Sequence, residues 1–456
     1  MIYPKTIVKE SHQTLRNVLP LFLFVCLLSP FKTTGQTPLG FRHYDSITYT
    51  HFLEARWDEL IDAGNQALKN GFDNYYMRIR MGIAFFSQEQ YRMSAMHFEK
   101  ALFFNRTDPV IVNYLRKSYE WAGLEIEAAN VERRFTIYQS PMKKSRLILK
   151  NAGLYAGYTF SGNDQKISDI DFDGQAGIYG EINSNGDMIF THSGMTIAPL
   201  PQVWWYNGYT YFLVERNQIF MAGNRQMRKF NYDLKQHQYY SSLTIRLKNL
   251  WYVNPAFHLI NIIDEPVQAF YESSSNRYSF RKSDTAYSHV LFSLMAVKEL
   301  PAFSTGIAVS GSNLNNREQW QGSFTAGYYP QKNLKVYAFS ALSVLAEDRL
   351  VKMHFKQKLG GKIVNWLWLE GSFHGGYLKN ANDENGLLVY NRIGKIRACS
   401  SLTALFPIGE QVQIHVEYNF YSIEDQYMQY TDFNNFVVLP VHYLNHNITG
   451  GIKWKL

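Results

Sequence analysis

Residues 411–420 read Gln-Val-Gln-Ile-His-Val-Glu-Tyr-Asn-Phe, with every even position apolar and every odd position polar. A period of two is the signature of a β-strand with one apolar and one wet face. The same alternation recurs outward from this segment. Val351, Met353 and Phe355 alternate with Lys352, His354, Lys356 and Lys358, and Leu243, Ile245 and Leu247 alternate with Thr244, Arg246 and Lys248. Leu367, Leu369, Gly371, Phe373, Gly375 and Tyr377 share a face, with Trp366 and Trp368 on the other. From about residue 148 onward, 15 segments read as strands, the first at 149–160, the next two at 174–184 and 187–198, and the last at 442–456. An odd number implies one misparsed segment, and 187–214 is where the parse is weakest. Most run longer than the ~5–6 residues of soluble strands and suit tilted membrane strands of ~9–11 residues.

The connections support the same reading. Tight turns are expected at Pro330–Asn333, Ala346–Asp348 and Pro407–Glu410, and longer polar links over 214–236, 263–285, 378–386 and 425–441. Short turns on one rim and long loops on the other characterise outer-membrane barrels. Ile448, Gly450, Ile452, Trp454 and Leu456 line one face up to the terminus, opposite Lys453 and Lys455. This last strand resembles the assembly signal of Gram-negative outer-membrane proteins, although Leu456 stands where Phe or Trp is usual. Spanning sheets must close, because hydrocarbon offers no water to an unpaired strand edge. A secreted soluble β-sandwich also alternates. Strand length and aromatics near strand ends (Tyr239-Tyr240, Trp251-Tyr252, Tyr328-Tyr329) favour the barrel.

The N-terminal part is different. Lys5, Lys9 and Arg16 precede the apolar run Val18–Phe31, followed by Thr33-Thr34-Gly35. This describes a secretory signal peptide over 1–35, and the run is too short to span. Residues 36–147 read as helices with a 34-residue period: His51, Phe85 and Tyr119 fall 34 apart, as do Trp57 and Tyr91. That is the tetratricopeptide (TPR) period. In the middle unit Gly82, Phe85, Tyr91, Ser94, Phe98 and Ala101 resemble the TPR pattern of small and aromatic packing positions. Arg116 replaces the small residue in the next unit and Glu132 the aromatic, and Asp108-Pro109 arrives late for the closing proline. The fold expected is therefore α plus membrane β: a short TPR-like helical solenoid, then an antiparallel transmembrane β-barrel over 148–456 of about 14 strands (12–16). The architecture resembles TPR–barrel fusions of Bacteroidota outer-membrane proteins. The resemblance implies outer-membrane lipid around the barrel and a periplasmic N-terminal domain, with a periplasmic protein as possible partner.

Composition narrows the function. Aromatics make up 16% and charged residues 18% of 456 residues, with mean hydropathy −0.28, so disorder is excluded. Of the net charge of +8, +3 lies in residues 1–35, and no like-charge block exists to track a phosphate backbone, so no nucleic acid is expected. Cys26 and Cys399 are the only cysteines. The histidines show no HExxH motif, and the one HxxxH, His442–His446, falls in a segment read as a strand, where a four-residue separation holds the two imidazoles too far apart to share a metal, so no cofactor or metal site is expected. Asp171–Gly174 and Asn380–Gly386 resemble calcium loops but lack the acidic twelfth position. His192-Ser193 is a weak lipid-enzyme candidate, since neighbours on a strand point to opposite faces. No enzyme is expected.

If the apolar faces meet lipid, the lumen receives Arg246, Lys248, Lys352, His354, Lys356, Lys358, Gln411, Gln413, His415, Glu417, Lys453 and Lys455. Such a set either favours anions or merely solvates a plugged interior. Function is read as channel, transport or envelope assembly. The alternative is a barrel-anchored scaffold whose TPR groove binds a periplasmic or secretion partner, and the minor one an outer-membrane lipid-modifying enzyme.

Overall fold

The computed structural model describes residues 40–135, 148–163, 179–222, 226–275, 277–392, 394–430 and 435–456. The expected leader and the Asp171–Gly174 motif lie outside these residues.

Six helices form three hairpins: α1 (Phe41–Leu53) with α2 (Trp57–Lys69), α3 (Tyr75–Ser87) with α4 (Tyr91–Phe104), and α5 (Pro109–Trp121) with α6 (Glu125–Phe135). The repeat positions explain the packing. A Cβ at Gly82 would lie 2.6 Å from the Phe98 ring, so only glycine lets α3 and α4 approach this closely. Phe98 and Ala101 are fully buried and Phe85 nearly so. The Ser94 hydroxyl donates to the Gly82 carbonyl at 2.9 Å and meets the Ser118 hydroxyl at 3.0 Å, which ties the second hairpin to the third. Tyr91 packs edge-on against Phe86 and Trp121. The late Asp108-Pro109 is a helix start: the Asp108 carboxylate accepts from the Val110 and Ile111 amides, with proline in the first turn, where its missing N–H costs nothing.

Fourteen antiparallel strands then close into a barrel. They are β1 (Ile148–Ser161), β2 (Tyr179–Leu200), β3 (Val203–Ala222), β4 (Gln226–Arg246), β5 (Trp251–Asp264), β8 (Thr285–Glu299), β9 (Phe303–Ser312), β10 (Gln319–Tyr328), β11 (Val336–Glu347), β12 (Leu350–Val364), β13 (Leu367–Leu378), β16 (Lys395–Ile408), β17 (Val412–Tyr430) and β18 (Phe436–Lys455). Outside the barrel ladder, β6 (Val267–Glu272) pairs with β7 (Arg277–Lys282), and β14 (Asn382–Asp383) with β15 (Leu388–Val389). The seam pairs β1 with β18, Ala156 opposite Gly450 and Tyr158 opposite Ile448.

Four sequence expectations change. The segments expected at 174–184 and 187–198 are one strand, β2. Its Asn-Ser-Asn-Gly-Asp stretch looks like a turn but forms an irregularity between Asn185 and Met188, where the ladder to β3 shifts and resumes. The supposed loops 214–236 and 425–441 are mostly strand, because β3–β4 and β17–β18 stay paired well beyond their neighbours. The tight turn at Asp348 sits on the long-loop rim, between β11 and β12. The face shared by Leu367 through Gly375 ends at Gly376, whose φ of +110° suits glycine. The register slips there, and Tyr377 turns into the interior.

The outer surface carries a belt of exposed apolar side chains, among them Leu154, Phe292, Ile307, Phe324, Leu342, Met353, Phe355, Leu402 and Ile448. A continuous apolar exterior of this kind is the lipid-facing band of a spanning barrel. Beside the short turns stand Trp251, Trp366 with Phe406, and Phe303 stacked on Tyr328, in the place of an interfacial girdle.

Replacing Phe98 by alanine should remove about 3–5 kcal/mol from the helical domain. The check is urea unfolding of the full chain followed at the helical circular-dichroism band, with the barrel signal unmoved. A second expectation concerns His97. It is buried and stacked on Phe85, with Arg78 Nη1 3.3 Å from Nδ1. Burial, with Arg78 adding to it, pushes the imidazole down to about 3. The unfolded chain therefore binds the proton more readily than the folded one, and stability falls as pH drops from about 6.5 towards 3, by up to ~1.4 kcal/mol per pH unit. The same melt repeated with His97→Gln should show a shallower pH slope, and an unchanged slope would refute this assignment.

Candidate functional site

The interior is the candidate site, and one loop organises it. The chain between β13 and β16, expected as a polar surface loop over 378–386, runs from Lys379 to Gly394 and folds into the barrel. Its polar side chains match those facing inward from the wall. Asn382 donates to the Ser310 hydroxyl at 2.9 Å, and Gln321 bonds both the carbonyl and the amide of Asn382. The Asn385 amide donates to the Asn254 carbonyl at 2.9 Å and its oxygen accepts from Ser293 at 2.7 Å. His258 meets the Gly386 carbonyl at 2.7 Å. Lys356 holds Asp383 at 2.5 Å and Glu384 at 3.1 Å, so the carboxylates of the calcium-like motif already have a cation. His354 and His374 are 2.9 Å apart through Nδ1 and Nε2, and His374 Nδ1 is 3.1 Å from the Tyr390 hydroxyl. Two imidazoles sharing one hydrogen bond cannot both be donors, so at least one is neutral.

A cavity of about 1140 Å³ remains between loop and wall. One side is apolar, from Met188, Phe190, Phe212, Val214, Leu234 and Ile262 on β2 to β5. The other carries Lys352, Lys358, Glu370, Ser372, His415 and Glu417. Three lysines of β12 that face inward are answered: Lys352 by Glu347, Lys356 by the loop, and Lys358 by Glu370 at 3.3 Å. His415 lies 3.4 Å from Glu417.

The remaining expected lumen residues divide between interior and rim. Lys453 lines a small side pocket with Tyr155 and Tyr206. Lys248 falls in a 3₁₀ turn between β4 and β5, exposed rather than over the lumen, because β4 ends at Arg246 and the strand alternation stops there. Lys455 pairs with Glu125 of α6 at 2.8 Å. Arg246 bonds both oxygens of Glu127 at 2.7 Å, and the Tyr252 hydroxyl donates to the same carboxylate at 2.9 Å.

These rim contacts are part of a larger joint between helices and barrel. Arg92 of α4 is buried, pairs with Glu299 at 2.7 Å and lies 3.6 Å over the Tyr329 ring. Asn333 donates to the Glu89 carbonyl at 2.9 Å, and Asn130 to the Pro201 carbonyl at 3.0 Å. Leu250 packs into the helical core. The helical domain thus sits on the short-turn rim, touching the turns after β2, β4, β8 and β10 and the end of β18. Partners 207 residues apart for Arg92 and 119 for Glu127 leave no local signal, so neither Arg92 nor Glu127 was foreseeable. The lipid-enzyme pair does not form: His192 bonds Thr210 and Tyr206 inside, both at 2.8 Å, while Ser193 stands opposite Leu154 and Tyr209, which are exposed outside.

The fold is that of an outer-membrane β-barrel protein carrying a TPR-like helical domain. No protein-family model matches the sequence, and no curated protein does. In structure the chain is similar to a Pseudomonas aeruginosa FadL homologue, at 7% identity and a TM-score of 0.44, over 67% of this chain and 90% of that one. The P. putida toluene transporter TodX aligns with the same identity, score and coverage. The helical part is similar to a mutant of MamA, at 16% identity and a TM-score of 0.21, over 23% of this chain and 77% of that one.

Arg246→Met would leave Glu127, whose side chain is 1% exposed, without its cation. Stranding a buried charge costs about 3 kcal/mol, so amide exchange in α6 should quicken about 100-fold while β4 stays protected. Unchanged exchange in α6 would show that this pair does not hold the joint.

Proposed function

We propose that the chain is a channel of the Gram-negative outer membrane that passes small solutes through the barrel interior, with the helical domain on the periplasmic side. The observation that carries this reading is the 1140 Å³ cavity inside a closed barrel, bounded by a loop held mainly through hydrogen bonds and ion pairs, with Val389 and Tyr390 packed on small apolar clusters of the wall. Polar contacts of this kind exchange with water at small net cost, which is what a movable plug requires. Both chain ends of the barrel and the helical domain lie on the short-turn rim, the periplasmic rim in barrels of this type. The role is passage and binding, with no chemical step assigned to any interior residue.

A second reading has its own observation. Tyr76, Phe103 and Val110 are largely exposed. They lie at the end of α3, α4 and α5 where the Tyr75 hydroxyl donates to Asp108 at 2.5 Å, and the barrel contacts occupy the opposite end. That apolar end suits a protein partner, which would make the barrel an anchor.

Replacing residues 380–391 by a short Gly-Ser linker should raise single-channel conductance in planar bilayers several-fold over the full chain, with heat-shifted gel migration confirming a folded barrel. Equal conductance before and after the replacement would contradict the channel reading and leave the anchor.

A further inference from the structure

The lysines that alternation assigns to the lumen on β12 are neutralised by carboxylates, so the unanswered positive charge lies elsewhere. Two cations at the stems of the inward loop, Lys379 and Arg392, both line the cavity. Among the described residues, neither has a carboxylate within ion-pair distance. Among the described residues, Arg392 hydrogen-bonds only the Tyr443 hydroxyl, at 3.4 Å, and its buried Nε has no partner. The Lys379 ammonium makes no hydrogen bond among the described residues. Nearby on the same long-loop side, Arg216 donates to Asn185 but lies 3.9 Å from Asp264, its nearest carboxylate, and its Nε is also buried and unpartnered. The acidic groups facing this cluster, among the described residues, are Asp264 and Asp425. Asp425 lies within electrostatic reach of all three cations, but its carboxylate is engaged by the Tyr443 hydroxyl. Among the described residues, three cations therefore meet two carboxylates.

Buried N–H groups without acceptors are rare, and each calls for a reason such as a bound ion. A guanidinium offers five donors and an ammonium three, of which this corner uses few. Carboxylate and phosphate oxygens are the acceptors that such donors bind most strongly. Apolar Met188, Phe212 and Val214 line the same wall beside Arg216 and offer a surface for a carbon body next to the anionic group.

We propose that Lys379, Arg392 and Arg216 form an oxyanion subsite on the long-loop side of the cavity, taking one carboxylate or phosphate group of a solute. The proposal rests on the interior being a solute site, as argued above. Because two of its cations stand on the loop stems, a bound anion also draws those stems together.

The test is calorimetric titration of the full chain in phosphate-free detergent, with inorganic phosphate and succinate as separate arms over a chloride background. Saturable binding of either anion is expected, and which arm binds identifies the oxyanion. Affinity should fall at least tenfold in Lys379→Gln/Arg392→Gln, recover in Lys379→Arg, and rise in Asp425→Asn, which removes a repelling carboxylate. Heat-shifted gel migration shows that each variant is folded. No saturable binding by the natural chain, or equal affinity in the double variant, overturns the subsite. Binding that holds in a protein without conductance would instead refute the channel and leave the subsite standing.

Discussion

Everything in this molecule depends on the pairing of β1 with β18. Hydrocarbon offers no hydrogen-bond partner to a strand edge, and each unpaired backbone group there costs several kcal/mol. The ladder from Asn151 opposite Lys455 to Ser161 opposite Asn445 removes the last two edges. Closure also requires β1 and β18 to begin and end on the same rim, so the helical domain preceding β1 is delivered to the short turns. The joint through Arg92, Glu127 and Asn130 follows from that placement. A helical domain of only three hairpins, near the ~3 repeats that solenoids need, gains from the barrel the support that further repeats would give.

Closure also separates two environments along every strand. The outward set meets lipid and is apolar. The inward set must be wet or mutually satisfied, and here it is mostly satisfied, because the Lys379–Gly394 loop brings Asn382, Asp383, Asn385 and Tyr390 to meet wall groups. Lys356 shows the consequence: read alone it is a lumen cation that attracts anions, and in place it is the clamp on Asp383 and Glu384. The net field of the interior is then set by the few cations the loop leaves unanswered.

The legible parts were those with a period. Alternation over 411–420 and 351–358 put His415, Glu417, Lys352, Lys356 and Lys358 inside, and the 34-residue spacing located Gly82, Phe85, Ser94 and Phe98 in the helical packing. What stayed hidden was whatever breaks a period or joins distant segments. The irregularity at Asn185–Met188 imitates a turn, and the left-handed Gly376 inverts the face that carries Tyr377. Lys248 continues the alternation on paper, but its strand has already ended. The inward course of 379–394 has no local mark, since an Asn-Asp-Glu-Asn-Gly stretch reads the same on a surface loop as against Lys356.

The most direct measurement of barrel closure is disulfide trapping across the seam in a Cys399→Ser background. Ala156→Cys with Gly450→Cys places two thiols opposite each other on β1 and β18, and Ala156→Cys with Ile448→Cys displaces them by two residues. The account predicts rapid oxidative cross-linking of the first pair and little of the second, read as a mobility change on a gel. No cross-link in the first pair, or equal cross-linking in both, would contradict a barrel closed in this register.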